Sequence, residues 1–161
     1  MRHFNYKKNL NKNFTNLFDI LYKESKKAFK LGEVPVAALI YDPINKFVIS
    51  KAHNLNRKKF NPCGHAEIEA IIKACKILKK SRLDNYDLFC TLEPCLMCSS
   101  TIFHSKIRRV YFSVEEKKMG AMVNNFKLGL NSKFSCKTKI YYGFDEERFS
   151  KLLKDFFKDK R

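Results

Sequence analysis

The sequence predicts a three-layer α/β domain built on a mixed β-sheet. Three observations predict this class. The 161 residues suit one domain, and a hydrophobic content of 45% is enough to build a core. The predicted elements begin with a helix and two strands, and strands then alternate with helices, an order typical of α/β proteins. We therefore expect residues 1–161 to form a single domain, with residues 1–13 as a basic arm in front of it.

The first half of the chain predicts two helices separated by two strands. Apolar residues at helical spacing predict the helices, and Gly32 suits the C-cap of the first one. A continuous apolar run predicts a buried first strand, and Asp42-Pro43 turns the chain into the second strand. The predicted bounds are residues 14–31 for the first helix, 34–41 and 46–52 for the strands, and 65–80 for the second helix.

The second half predicts strands that alternate with helices. A short buried strand precedes Pro94, which we expect to open the next helix because proline is tolerated at the first helical position. Aromatic and leucine residues at helical spacing predict a terminal helix. The predicted bounds are 88–92, 109–113 and 138–142 for the strands, and 94–105 and 146–157 for the helices.

The chain is strongly basic, with 33 Lys and Arg residues against 16 Asp and Glu residues and a formal net charge of +17. A small domain with this charge is attracted to polyanions, among which nucleic acid is the commonest. Codon bias in a genome rich in A and T is an alternative explanation, because such a genome enriches Lys, Asn, Phe and Ile. Charge alone therefore leaves nucleic-acid binding open.

The composition also bears on the compartment. No apolar run approaches the length of a membrane span, and residues 1–13 contain no apolar stretch of the signal-peptide kind. Their lack of acidic residues leaves a short organellar transit segment as an alternative. Two of the six cysteines have metal-ligand spacing and the others are scattered, so a disulfide framework is not indicated. We expect free thiols in a reducing cytoplasm and no membrane association.

The most informative motif combines His65 and Glu67 with Cys95 and Cys98. One imidazole and two thiolates suit a catalytic zinc ion, because such sites hold three protein ligands and leave a fourth position for water. The two cysteines share one face near a helix start, where the helix dipole favours the thiolate. Zinc lowers the pKa of bound water, and Glu67 is placed to move protons without binding the metal. This combination is typical of zinc-dependent nucleobase deaminases.

A closed zinc site that only stabilises the fold is the alternative to a catalytic one. It needs a fourth ligand, which Cys63, Cys90 or His104 would supply. Cys63 is the best placed of these, since it lies two residues before His65. A closed site gives Glu67 no role, so the catalytic interpretation is favoured.

Around this motif the chain resembles the bacterial tRNA-specific adenosine deaminase family, within the cytidine-deaminase-like superfamily. The similarity runs from about residue 14 to the C-terminus. The matching segments are Glu33-Val34-Pro35-Val36, Asn54, His65-Ala66-Glu67-Ile68, Thr91-Leu92-Glu93-Pro94-Cys95-Leu96-Met97-Cys98, His104-Ser105-Lys106-Ile107, Arg109-Val110-Tyr111-Phe112, Lys118-Met119-Gly120-Ala121 and Asp155-Phe156-Phe157. The resemblance implies a three-layer α/β/α fold with a five-stranded mixed sheet. It also implies hydrolysis of adenosine to inosine at the wobble position of a tRNA anticodon.

The resemblance further implies roles for individual residues. It implies that His65, Cys95 and Cys98 hold one zinc ion per subunit and that Glu67 is the catalytic proton shuttle. The residues implied to contact the substrate are Asn54, Ala66 and Pro94 at the base, and Glu116, Lys118 and Phe157 at the anticodon stem-loop. A homodimer, with the active site completed near the partner subunit, is implied as well.

Plainer interpretations of these substrate contacts are open. Asn54 would instead form an Asx turn, and Glu116 and Lys118 would be solvated loop charges. Aromatic residues at helical spacing are more often core than surface, so we expect at least one residue of Phe156-Phe157 to be buried.

Three positions depart from the family pattern. Ala37 stands where glycine is frequent, and Gly64 stands where threonine or alanine is more usual. Glu116 stands where aspartate is common, and either acid can accept a hydrogen bond from a ribose hydroxyl.

Two other functions are open on the motif alone. Superfamily relatives deaminate nucleosides or free bases such as cytidine, cytosine and guanine, and small substrates predict little salt dependence. A basic, zinc-stabilised RNA-binding module without catalysis predicts that Glu67→Ala has no effect. The charge, the extent of the match and the terminal Lys158, Lys160 and Arg161 favour tRNA. Its unpaired anticodon bases are readily flipped out of the loop.

Overall fold

The computed structural model describes residues 12–131 and 138–158, so most of the predicted arm, Lys160 and Arg161 lie outside the described residues. The helices are α1 (Lys12–Lys30), α2 (Ala66–Leu78), α3 (Leu96–His104) and α4 (Glu146–Lys158). The strands are β1 (Ala37–Asp42), β2 (Phe47–His53), β3 (Asp87–Leu92), β4 (Arg109–Val114) and β5 (Lys139–Tyr142), and a short 3-10 helix spans Leu128–Leu130. The predicted order and type of these helices and strands are confirmed.

The five strands form one mixed sheet in the order β2-β1-β3-β4-β5. β1 runs antiparallel to both of its neighbours, whereas β3, β4 and β5 are parallel. The predicted five-stranded mixed sheet is therefore confirmed. Because β1 runs against the others, the carboxyl ends of β2, β3 and β4 lie at one end of the sheet, beside the start of β1.

Helices cover both faces of the sheet, which confirms the predicted three layers. α2 and α3 pack on one face through a core that includes Ala70, Ile71 and Ile102. α1 and α4 pack on the other face, where Phe18 and Phe149 belong to a second core. None of the described helices is both long enough and apolar enough to cross a membrane.

α1 ends in a Schellman motif at the glycine that the sequence singled out. Gly32 has a φ of 73°, in the left-handed region that glycine adopts without steric penalty. Its N–H donates to the Phe29 carbonyl, and the N–H of Glu33 donates to the Ala28 carbonyl, both at 3.0 Å. The motif ends the helix and turns the chain towards β1.

Most predicted bounds differ from the observed ones by one to three residues, and two of these differences have a clear local cause. β1 begins at Ala37 rather than Val34, because the Val36 N–H donates to the Val34 carbonyl at 2.7 Å and closes a tight turn. Pro94 does not open α3, whose first residue is Leu96 and whose N-cap is Cys95. The Pro94 carbonyl accepts a main-chain hydrogen bond from the loop after β4, which holds this residue outside the helix.

Candidate active site

The loops that follow β2, β3 and β4 meet at one end of the sheet and carry the predicted site residues. Asn54 directly follows β2, Cys95 follows β3, and Glu116 follows β4. His65 is the N-cap of α2, as Cys95 is of α3. Two helix N-termini therefore begin in the same region, and the positive ends of their dipoles favour anionic ligands there.

Three metal-ligating side chains lie together in this region. The Sγ atoms of Cys95 and Cys98 are 3.7 and 3.4 Å from Nδ1 of His65. All three ligand atoms lie within 4.8 Å of one another. Tetrahedral zinc ligands about 2.0–2.3 Å from the metal are roughly 3.5 Å apart. The spacing and the donor set therefore fit one zinc ion.

The pKa values of the two thiols of the cluster shift in opposite directions. The hydrogen bond with Cys95 and burial raise the pKa of Cys98, whereas Cys95 is favoured as the thiolate that a metal needs. Hydrogen bonding from Cys98, followed by that from His65, lowers the pKa of Cys95 to about 4. The hydrogen bond with Cys95 is also the main reason why the pKa of His65 is raised. Metal binding requires the thiolate and the neutral imidazole, so metal affinity should fall as the pH is lowered.

A fourth protein ligand does not join this group among the residues that the structure describes. Cys63, the best sequence candidate for one, is exposed. Cys90 is buried in the core and its thiol donates to the Leu92 carbonyl at 3.3 Å. His104 is the last residue of α3. The arrangement supports an open site with three protein ligands.

Glu67 lies in the first turn of α2 with only 3% of its surface exposed. Its Oε2 atom is buried and has no hydrogen-bond partner among the described residues. Burial raises the pKa of Glu67 to about 7, so the carboxyl can gain and lose a proton near neutral pH. A buried carboxyl oxygen without a hydrogen-bond partner destabilises a fold. A chemical role therefore accounts for this one better than a structural role.

Asn54 joins the end of β2 to the start of α2. Its Oδ1 atom accepts a hydrogen bond from the N–H of Ala66 at 3.0 Å, a contact that spans 12 residues and differs from an Asx turn. With the oxygen engaged, the Nδ2 amide is the group that can donate to a substrate acceptor. Asn54 therefore also holds the helix that carries His65 and Glu67.

These groups line a cleft of about 340 Å³. His65, Glu67 and Cys95 lie in its wall, together with Asn54 and Glu116 from the predicted substrate contacts. Further wall residues are Glu33, Val34, Val36, Asn56, Arg57, Leu92, Glu93 and Met119. A cleft of this size suits one small polar ring system.

Comparison with known proteins decides the family. Residues 12–114 match the family described as the cytidine and deoxycytidylate deaminase zinc-binding region. A tRNA-specific adenosine deaminase of Rickettsia bellii (strain RML369-C) is 41% identical over 141 residues, which are 86% of this chain and 96% of that protein. One from Aquifex aeolicus (strain VF5) is 39% identical over 142 residues, 88% of this chain and 92% of that protein. The chain belongs to the tRNA-specific adenosine deaminase family.

Solved structures agree with this assignment. A structure from work on A-to-I editing by tRNA:A34 deaminases superposes with a TM-score of 0.81 at 30% identity, covering 86% of this chain and 99% of that one. Guanine deaminase from Nitrosomonas europaea, with a TM-score of 0.75 at 16% identity over 86% of this chain and 81% of that one, shares the fold. The zinc-binding family and the His/Cys/Cys group together support one zinc ion per subunit in this deaminase.

Four predicted substrate contacts of this family member do not line the cleft. Ala66 and Pro94 are buried. Lys118 is exposed on the loop after β4. Phe157 is 51% exposed, whereas Phe156 is 3% exposed, which confirms that one of the pair belongs to the core. Their contacts with a substrate stay predictions.

Glu93 is a site residue whose role the sequence did not reveal. Its carboxylate is 3% exposed and accepts hydrogen bonds from the loop after β4. The main-chain donors are the N–H groups of Glu116, Val123 and Asn124 at 3.1, 2.8 and 3.1 Å, and the Nδ2 amide of Asn124 also donates. Glu93 thus fixes the wall of the deaminase cleft two residues before a metal ligand.

Gly120 is the partner that this arrangement requires. A Cβ atom at Gly120 would collide with the Glu93 carboxylate and with the Glu116 carbonyl. Gly120 also forms an isolated bridge with Cys95. In the sequence, Glu93 is only an acidic residue before Pro94, and Gly120 is a glycine far along the chain. Their contact could not be inferred from this spacing.

Proposed function

We propose that this chain hydrolyses adenosine to inosine at the wobble position of a tRNA anticodon. The observation that carries the proposal is the convergence of His65, Cys95 and Cys98 beside the buried Glu67, in a member of the tRNA-specific adenosine deaminase family. Curated relatives of that name align over most of both chains. In this proposal the chain works as one zinc-dependent deaminase domain.

His65, Cys95 and Cys98 would hold the zinc ion, with no other ligand from the described residues. When bound, the ion supplies a water acidic enough to act as a nucleophile near neutral pH. The low pKa of Cys95 supports a thiolate ligand at that position, and the two helix N-termini and a bound metal would favour the thiolate of Cys98 as well. Asn54 keeps the start of α2, and so His65, in place.

Glu67 moves the protons of the reaction. Its carboxylate takes a proton from the attacking water as the oxygen bonds to C6 of the adenine ring, and it delivers this proton to ring N1. It then carries the second water proton to the exocyclic amine, which leaves as ammonia when the C6–N bond breaks. Adenosine and water thus give inosine and ammonia. A carboxyl with a pKa of about 7 suits both the accepting and the donating step.

The substrate contacts follow from the wall of the cleft. Asn54 donates from Nδ2 to an acceptor nitrogen of the purine, and Glu116 accepts from a ribose hydroxyl. Lys118 is exposed two residues after Glu116 and would meet a phosphate, and Phe157 would offer an exposed ring for stacking. Ala66 and Pro94 do not line the cleft and would act on it only through their main-chain hydrogen bonds, from the Ala66 N–H to Asn54 and from the Ala121 N–H to the Pro94 carbonyl.

RNA is favoured over a free base by the charge of the chain. A net charge of +17 attracts the phosphates of a stem-loop and gives a free base no advantage. Binding should therefore weaken steeply as salt is added. Because tRNA is used in the cytoplasm, we place the reaction there.

A homodimer is part of the proposal. Leu96, next to Cys95, is 46% exposed, and Met119, in the cleft wall, is 62% exposed, so apolar surface lies at the site. Ile102 and Phe103 are buried within the subunit and are not available for such an interface. Sedimentation of the zinc-loaded protein should give twice the chain mass, and a monomer under assay conditions would remove this part of the proposal.

The deciding experiment measures inosine in RNA digests after incubation with the zinc-loaded enzyme. The substrates are a tRNA whose anticodon begins with adenosine, its isolated stem-loop, and free adenosine, cytidine and guanine. We expect inosine at the wobble base only, and we expect Glu67→Ala to abolish it while zinc content and RNA binding are kept. If only a free base is turned over, the enzyme is a free-base deaminase and not a tRNA deaminase. An active Glu67→Ala variant would refute the mechanism.

A further inference from the structure

We infer that Phe60 stacks on an unpaired base of the RNA substrate, next to the adenosine in the cleft. The inference rests on the proposed function, because it needs an RNA at this site. Phe60 is 95% exposed, more than any other large hydrophobic side chain that the structure describes. A phenyl ring held in water contributes nothing to the core. Single exposed apolar side chains are common on protein surfaces, so the partner is inferred from the loop that holds this ring and from the charge of that loop.

Phe60 lies in a basic loop (residues 55–61) that is closed on itself. Three main-chain hydrogen bonds close it, from the N–H groups of Lys59, Phe60 and Asn61 to the carbonyls of Leu55, Arg57 and Asn56 at 3.0, 3.2 and 3.0 Å. Phe60 itself has a φ of 49°, a left-handed conformation that is uncommon for a bulky residue. The loop therefore maintains an unfavourable conformation that presents the ring to solvent.

Two buried carboxylates anchor the basic loop to the rest of the domain. Glu33, 2% exposed, accepts a hydrogen bond from the Lys58 N–H at 2.9 Å. Glu69, 8% exposed, forms an ion pair with the Lys59 ammonium at 2.8 Å. A ring presented by a fixed loop loses little conformational entropy when a ligand binds.

Gly64 explains how the basic loop packs so closely. A Cβ atom at this position would lie 3.1 Å from the Asn61 carbonyl oxygen and 3.2 Å from the Asn56 nitrogen. The departure from threonine or alanine at Gly64 therefore allows the end of the loop to approach its beginning. The Gly64 carbonyl also accepts a hydrogen bond from the Leu55 N–H at 2.9 Å.

The position and charge of the basic loop identify its partner as single-stranded RNA. Asn56 and Arg57 line the cleft, so Phe60 lies three residues from the wall around the reacting base. Three consecutive cations, Arg57, Lys58 and Lys59, precede the ring. Exposed aromatics interleaved with cations are how proteins hold unpaired bases and their phosphates.

Binding of a labelled stem-loop tests the inference directly. Fluorescence anisotropy would measure the Kd of a fluorescein-labelled anticodon stem-loop for zinc-loaded protein in a Glu67→Ala background, which prevents turnover. Because stacking on one aromatic side chain is worth about 1–3 kcal/mol, we expect Phe60→Ala to raise the Kd roughly 5- to 150-fold. Phe60→Tyr keeps the ring and should stay within about 3-fold of the parent.

Phe47→Ala is the matched control. Phe47 is also an exposed phenylalanine, 51% exposed, but it lies at the start of β2, at the end of the sheet away from the cleft. Its removal should leave the Kd unchanged within about 2-fold. An equal loss in Phe47→Ala and Phe60→Ala would overturn the inference, because it would show a general effect of surface aromatics.

An abasic series identifies the base that Phe60 contacts. Each unpaired nucleotide of the stem-loop, apart from the reacting adenosine, is replaced in turn by an abasic residue. At one position the losses from the abasic residue and from Phe60→Ala should not add, since both remove the same contact. Additive losses at every position would overturn the inference.

The failure of this inference and that of the proposed function are distinguishable. If the parent enzyme makes inosine in the stem-loop while Phe60→Ala binds and reacts normally, only the stacking contact is wrong. If the parent enzyme makes no inosine in any RNA, the proposed function falls and the inference falls with it. A Phe60→Ala protein that changes its sedimentation coefficient would instead assign the ring to a contact between subunits.

Discussion

The two faces of the sheet are built from different side chains. The face under α2 and α3 has a mainly aliphatic core, into which α2 packs through Ala66, Ala70 and Ala74. The face under α1 and α4 is aromatic, and its rings touch in sequence across the sheet. The centroid distances are 5.9 Å for Phe18–Phe89, 4.4 Å for Phe89–Tyr111 and 4.9 Å for Tyr111–Tyr141.

This difference separates stability from chemistry. Alanines let α2 lie close to the sheet, so the N-terminal turn of the helix comes within reach of the strand ends and brings His65 and Glu67 there. No residue of the aromatic cluster lines the cleft. The helix that packs through alanines therefore positions the site, while the aromatic cluster contributes to stability without lining the cleft.

Glu67→Gln should separate the two properties most strongly. General acid–base residues contribute roughly 10²- to 10⁴-fold to rate, so kcat for inosine formation should fall by about that factor. The thermal midpoint should stay equal or rise, since the variant removes an ionisable group whose Oε2 is buried without a partner. Calorimetry on zinc-loaded protein checks this, with zinc content measured in parallel. A lower midpoint at full zinc content would mean that Glu67 stabilises the fold.

Phe18→Ala should have the opposite signature. Phe18 is 1% exposed and contacts Phe89, Phe144 and Phe149. Truncating a buried phenylalanine costs about 3–5 kcal/mol of unfolding free energy, measurable by urea denaturation. The kcat/KM of the folded protein on a stem-loop should be unchanged in the cold. Exposed Phe47→Ala, the control, should change stability by less than about 0.5 kcal/mol. A loss of kcat/KM in cold, folded Phe18→Ala would show that the two faces are coupled.

Glu93→Gln tests whether the cleft wall depends on one carboxylate. The amide keeps one acceptor oxygen where the carboxylate has two, and it brings an NH₂ group against main-chain donors. We expect kcat/KM on a stem-loop to fall roughly 10- to 100-fold at normal zinc content, with faster hydrogen exchange at residues 115–124. Asn124→Ala removes one of the donors and should have a smaller effect. If zinc content fell together with activity, Glu93 would instead be needed to hold the metal site.

Sequence reasoning succeeded where the signal is local. Apolar spacing located α1, and the Gly32 C-cap followed from the same pattern. The metal group was also predictable, although His65 lies 30 and 33 residues from the two cysteines, because His65 and Glu67 together with Cys95 and Cys98 form a known motif. The predicted starts of β1 at Val34 and of α3 at Pro94 were wrong for reasons that are also local. At each position a single hydrogen bond overrides the sequence pattern.

Long-range contacts explain what the sequence missed. The partners of Glu93 lie 23 to 31 residues away, and no spacing rule connects them. The exposure of Phe60 has the same origin, because it depends on Glu33, 25 residues before the Lys58 N–H that it binds. Charge made nucleic acid one possible class of partner, but the placement of the basic loop requires the folded chain.

Glu24→Gln is expected to have the smallest effect. Glu24 is the buried carboxylate of α1, and it is not part of the aromatic core on that face of the sheet. Glu24 is 4% exposed and, unlike Glu67, is fully paired, with Lys27 at 2.7 Å and with His53 at 3.1 Å. Burial raises its pKa, but the hydrogen bonds from Lys27 and His53 and the charges of Lys27 and Lys51 outweigh burial and hold the pKa below its ordinary value of 4.5.

A lowered pKa fixes the sign of the pH dependence. Ionised Glu24 contributes stability above about pH 4.5, and the contribution is lost as the pH falls through the lower folded pKa. Glu24→Gln should therefore cost about 1–2 kcal/mol near neutral pH, with the difference from wild type shrinking below about pH 4.5. Asp84→Asn, at an exposed pair with Arg82, should show little difference at any pH. A pH-independent loss in Glu24→Gln would mean that shape matters at this position and charge does not. Hydrogen-bond pairing would then no longer distinguish Glu24, a carboxyl with a structural role, from Glu67, a carboxyl with a catalytic role.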